Sequence, residues 1–235
     1  MICFLTSRTD NPETAALNPA NGFVERLRSC FPSPCRALQI CSDPDGWEKT
    51  DFYAALLRRS FEEAGFAFQS VRTLDGRNEG QAAALLRESD FLVLSGGHVP
   101  TQNRFFEKIG LRELLRDFDG VLVGISAGSM NSAETVYAHP EEEGEAVDPA
   151  YRRFLPGLGL TKTMILPHYQ AIKDDVLDGL RVMEDIAYPD SRGREFLLLP
   201  DGSYLLLAGG REEICGPAWL LADGRLSPLN GAEEA

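Results

Sequence analysis

The feature that most restricts the fold of this chain is an alternation along its length. Apolar runs of five or six residues recur, separated by longer stretches with helical spacing. The runs are ICFLT (2–6), RALQIC (36–41), FAFQSV (66–71), DFLVLS (90–95), GVLVGI (120–125) and TMILP (163–167). Runs this short, bounded by turn residues, suit strands covered on both faces. Between them, residues 47–66 place Phe52, Leu56, Phe61 and Ala64 near one helical face, with Gly65 as a stop. Residues 79–89, 103–118, the segment after Ser126 and residues 171–187 read as further helices. Strand–helix alternation predicts an α/β fold with a doubly wound, mostly parallel sheet and helices on both faces.

The C-terminal part reads differently. Asp-Gly dipeptides at 201–202 and 223–224 lie between apolar runs, which predicts antiparallel hairpins added at the sheet edge. Residues 139–150 form the least regular loop, and the tail 230–235 is expected to fray. With no linker, repeat or low-complexity tract, residues 1–235 are expected to make a single domain.

Charge narrows the partners. A formal net charge of −13 disfavours nucleic acid, whose binding runs on Lys and Arg contacts to phosphate, and disfavours anionic membrane surfaces. The five cysteines lack C-x-x-C spacing and the three histidines are far apart, so no metal site is expected. Cys3, Cys41 and Cys215 sit in or beside apolar runs as free core thiols, which suits a reducing compartment. The N-terminus has no basic region before its short apolar run, so a cytoplasmic location is expected. A monomer or homodimer is expected.

The chemistry concentrates around VLVGISAGSMN, residues 121–131. Gly124-Ile125-Ser126-Ala127-Gly128 fits G-x-S-x-G, in which flanking glycines let a serine occupy a tight strand-to-helix turn. Ligands of doubly wound sheets sit outside the carboxyl ends of the strands, where Ser126 falls. The same residues also suit a helix cap or a phosphate cradle. A serine nucleophile needs a base. His168 follows the run 163–167 and so reaches a strand end; His139 lies in the acidic loop, and His98 follows Ser95-Gly96-Gly97. The N–H groups of Gly96 and Gly97, with that of Ala127, suit an oxyanion hole. Glu141, Glu142, Glu143, Glu145 and Asp148 are candidates to orient the histidine, although a charge run is usually solvated. His168 follows Ser126 by only 42 residues, too few for the elements an α/β-hydrolase usually inserts there.

Taken together, GISAGS, SGG, PHY, VDP (147–149) and LPDGSY (199–204) resemble the dipeptidase E and cyanophycinase family of serine peptidases, whose fold is class I glutamine amidotransferase-like. The resemblance spans most of the chain. It implies Ser126 as nucleophile, His168 as general base and acid, and the N–H groups of Gly97 and Ala127 as oxyanion hole. It makes Glu143 the best match for the orienting acid, with Glu142 next. GGH stands here where the family usually has GGN, which puts His98 at a substrate-contacting position. The implied substrate is a small peptide, with N-terminal aspartate in the dipeptidase E pattern. Tyr169, Lys173 and Arg104 are the associated candidates for substrate contact. Neither metal nor organic cofactor is implied. Alternatives are a cyanophycinase-like or other amidase, and a non-catalytic ligand-binding relative.

Overall fold

The computed structural model describes residues 1–232; the last three residues of the tail expected to fray lie outside the described residues. Strands β1 (Ile2–Thr6), β2 (Arg36–Ile40), β3 (Ser70–Leu74), β4 (Phe91–Leu94) and β5 (Val121–Ile125) form a parallel sheet in the order β1-β5-β4-β2-β3. Later come a short pair, β6 (Thr135–Tyr137) and β7 (Phe154–Pro156), then β8 (Met164–Leu166) and a small hairpin, β9 (Val176–Leu177) and β10 (Leu180–Arg181). The chain closes with β11 (Glu195–Leu198), β12 (Tyr204–Ala208), β13 (Arg211–Cys215), β14 (Ala218–Ala222) and β15 (Arg225–Leu229). β12 and β13 extend the central sheet antiparallel to β1, giving seven strands. β15, β14, β11 and β8 make a second sheet of four.

The central strands are covered on both faces, as their unbroken apolar runs require. Alternate residues part into two cores: Cys3, Leu5, Leu92, Leu94 and Leu122 on one face, Phe4, Phe91, Val93, Val121 and Val123 on the other. Helices α1 (Phe23–Cys30), α2 (Trp47–Glu63), α3 (Ala82–Arg87), α4 (Val99–Lys108), α5 (Leu111–Leu114) and α6 (Ala127–Asn131) connect them. A third core, with Leu166, Phe196 and Leu198, packs the second sheet. All five cysteines are free, four of them buried, and burial pushes the Cys41 thiol up to about 12.

Several expectations are corrected. The third strand runs over 70–74 rather than 66–71, because Phe66 and Phe68 join Phe31, Phe61 and Phe91 in an aromatic cluster under the sheet. The run 163–167 does not enter the central sheet; β8 pairs in parallel with β11 in the second. The helix expected over 171–187 is split: α7 (Tyr169–Ile172) precedes the β9–β10 hairpin, and helical turns Val182–Ala187 and Tyr188–Asp190 follow it. Asp178 and Gly179 both take positive φ between β9 and β10, the signature of a tight hairpin turn. The Asp-Gly at 223–224 turns a true hairpin, whereas 201–202 does not: β11 and β12 belong to different sheets, and the chain crosses between them. On α2, Phe61 is buried as expected, but Phe52 is 64% exposed, and Thr50 and Ala54 are buried.

Candidate active site

Ser126 sits immediately beyond β5 with φ 48° and ψ −110°, a conformation a residue with a side chain rarely adopts. The turn is over-determined by its surroundings. Ser126 N donates to Thr6 O at 3.0 Å, Met130 N donates to Ser126 O at 3.0 Å, and the Ser129 hydroxyl donates to Thr6 O at 2.7 Å. Gly128 follows because the helix runs against β4; a side chain there would strike the Leu94 carbonyl. The sharp turn lifts the hydroxyl off the strand end, and the N–H of Ala127 at the helix start has no acceptor among the described residues.

The Ser95-Gly96-Gly97 loop after β4 lies alongside. A Cβ at Gly96 would stand 3.4 Å from the Cβ of Ser126. Gly97 has φ +149°, and a Cβ there would strike the Ser42 hydroxyl and stand 2.6 Å from the Ser42 Cβ. Its N–H has no acceptor among the described residues. Gln102 braces the loop by donating to Ser95 O at 2.7 Å, and Gln39 donates to the Ser95 hydroxyl at 3.0 Å.

β8 and β11 bring in the remaining groups. Their parallel register sets Leu166 beside Leu198, so His168 and Asp201 leave the same edge of the second sheet. His168 Nδ1 lies 2.7 Å from Asp201 Oδ1. Ser7, just past β1, donates its hydroxyl to the same oxygen at 2.8 Å and accepts the backbone N–H of His168 at 2.8 Å. Gln170 takes the N–H of Asp201 at 2.9 Å. Burial opposes the Asp201 charge, but hydrogen bonds from His168 and Ser7 outweigh it and hold the carboxyl below the usual carboxylate range. A carboxylate on Nδ1 fixes the proton there and leaves Nε2 as the acceptor.

Ser126, His168, Gly97 and His98 line one cavity of about 590 Å³. Among the described residues no hydrogen bond joins Ser126 Oγ to His168. The short contact expected for a nucleophile and its base is thus not formed, although both residues face the same cavity.

Other expected site residues fall elsewhere. Glu143 is exposed, and Asp201 is the carboxylate hydrogen-bonded to His168. Glu142 lines the cavity. Tyr169 is buried against Trp219, with ring centroids 4.6 Å apart, and Lys173 is exposed beyond α7; neither lines the cavity. Arg104 is exposed and donates to Thr101. His139 is buried, and burial first, then the His168 charge, pushes it down to about 4. His98 has both ring nitrogens engaged, with Thr101 and Glu145 at 2.8 Å each.

The acidic loop is exposed along 141–144 but its backbone is tied down. The second Glu145 oxygen accepts the N–H groups of Glu141 and Glu142, and Asp178 accepts those of Gly144 and Ala146. His98, Glu142 and Glu145 each offer a ligand atom within 4.8 Å of the others. With His98 and Glu145 already bonded to each other, the group serves as a clasp between α4 and the loop.

Asp201 is the residue that sequence reasoning missed as a site. Its Asp-Gly dipeptide reads as a turn, although LPDGSY is a family landmark and follows an apolar run, as PHY does.

No helix among the described residues is long and apolar enough to cross a membrane. No curated protein matches the sequence significantly. In structure, the chain is similar to a Listeria monocytogenes EGD-e protein assigned to peptidase E by name only. The TM-score is 0.59 at 16% identity, covering 91% of this chain and 96% of that one, a likeness of fold. The profile of peptidase family S51 matches residues 41–215, most of the chain. This chain therefore belongs to peptidase family S51, the dipeptidase E and cyanophycinase family, and is a serine peptidase.

Proposed function

We propose that the protein hydrolyses small peptides through Ser126, His168 and Asp201. The observation that carries this reading is the 2.7 Å contact of Asp201 with Nδ1 of His168, which lines the cavity that also holds strained Ser126. Ser126 Oγ attacks the substrate carbonyl while His168 Nε2 takes its proton, and Asp201 stabilises the resulting imidazolium. The oxyanion rests on the N–H groups of Gly97 and Ala127, neither of which has an acceptor among the described residues. His168 then protonates the leaving amine, and water, deprotonated by the same imidazole, releases the acyl group. Glu143, exposed on its loop, has no part in this scheme.

The test is a short-peptide panel with wild type and Ser126→Ala. Wild type should turn over at least part of the panel and the variant none of it. Equal turnover by the two proteins rejects Ser126 as nucleophile.

A further inference from the structure

Helix α2 shows two faces. Ala54 and Phe61 are buried away from the cavity, whereas Lys49, Tyr53, Leu56, Leu57 and the buried Thr50 and Ser60 line the cavity that holds Ser126 and His168. The steps from 49 to 53, 56, 57 and 60 make one helical stripe. The stripe runs along the border of cavity and core, since Leu57 also packs against the core that holds Phe61. From Lys49 to Ser60 the helix advances about 16 Å at ~1.5 Å per residue, the length of roughly five extended residues. A cavity of about 590 Å³ along such a wall exceeds the needs of a dipeptide.

The middle of the stripe is apolar. Leu56 and Leu57 are half-buried, and Tyr53 stays 49% exposed, with Phe52 packed edge-on against it at 5.4 Å. The charged groups lining the cavity do not favour an acidic side chain. Arg8 and Lys49 are the cations, but Arg8 is paired with Asp10 at 3.2 Å, and Asp43 and Glu142 add negative charge.

We infer that the α2 stripe is the specificity wall of this peptidase. The preferred substrate is a peptide of more than two residues carrying a bulky apolar side chain, of the Leu or Phe kind, seated against Tyr53, Leu56 and Leu57. This rests on the proposed hydrolytic site only in that the wall and Ser126 share one cavity.

The test separates binding from hydrolysis. Calorimetric titration of Ser126→Ala uses tetraglycine and tetrapeptides with Leu, Phe or Asp in place of one internal glycine. Leu and Phe peptides should bind at least tenfold tighter than tetraglycine, and Asp peptides no tighter. Adding Leu56→Gln, at a half-exposed helical position that tolerates a polar side chain, should remove most of that preference, and Leu56→Met should restore it. Equal binding of Leu and Gly peptides, no binding at all, or a preference untouched by Leu56→Gln overturns the inference. Wild-type hydrolysis of the same peptides is read separately. Selective binding without hydrolysis refutes the catalytic reading and leaves the wall standing; hydrolysis with no side-chain preference does the reverse.

Discussion

Replacing Asp201 by Asn discriminates most sharply between the carboxylate found against His168 and the glutamate expected from the sequence. Asp201 Oδ1 accepts from both His168 Nδ1 at 2.7 Å and Ser7 Oγ at 2.8 Å. An amide keeps the shape and the Ser7 contact but removes the charge that stabilises the imidazolium. Turned over, it presents N–H groups to Nδ1 and selects the tautomer whose Nε2 cannot take the Ser126 proton. The same change in a Ser-His-Asp triad lowers kcat about 10⁴-fold, equivalent to ~5.4 kcal/mol of transition-state stabilisation. Asp201→Asn should therefore lose about 10⁴ in peptide turnover. The rate at which a fluorophosphonate labels Ser126 gives an independent measure and should fall with it. Circular dichroism should remain that of wild type. Glu143→Gln, which alters an exposed side chain, should stay within about twofold. An Asp201→Asn protein within about tenfold of wild type, or a Glu143→Gln protein as impaired as Asp201→Asn, refutes the argument.

Three other outcomes are open to measurement. Ser126→Gly removes a side chain from a φ 48° conformation and should stabilise the fold by about 1 kcal/mol in urea while abolishing turnover; a destabilised variant would show that the turn stores no strain. Gly97→Ala drives a Cβ into the Ser42 side chain, so it should lower stability by about 1–3 kcal/mol and cut kcat more than KM; full activity would remove Gly97 from the oxyanion hole. The Asp201 carboxyl is held below its ordinary value, so its contribution to stability is complete above about pH 4 and is lost as pH falls through its folded-state value. Unfolding free energies of wild type and Asp201→Asn should converge on acidification, and a gap that widens below pH 4 contradicts the assignment.

Much of this protein was legible locally. Five apolar runs became the parallel strands or their neighbours, because two-sided burial demands uninterrupted hydrophobicity. Ser126 was legible because its glycines serve one backbone turn, and the Gly-Gly loop because its role lies in the main chain. Asp178-Gly179 was missed as a hairpin inside an apparently helical stretch, since periodicity outvoted turn chemistry.

By itself, the sequence determined the alternating α/β architecture, the strained serine after β5 and the histidine at a strand end. Those features depend on contacts within a few residues. Only the tertiary structure decided that β8 and β11 pair in a second sheet, and hence that Asp201 meets His168 across 33 residues of chain. It alone set the α2 stripe along the cavity wall. Strand register and helix rotation are settled by packing between segments distant in sequence, and residue spacing carries no record of them.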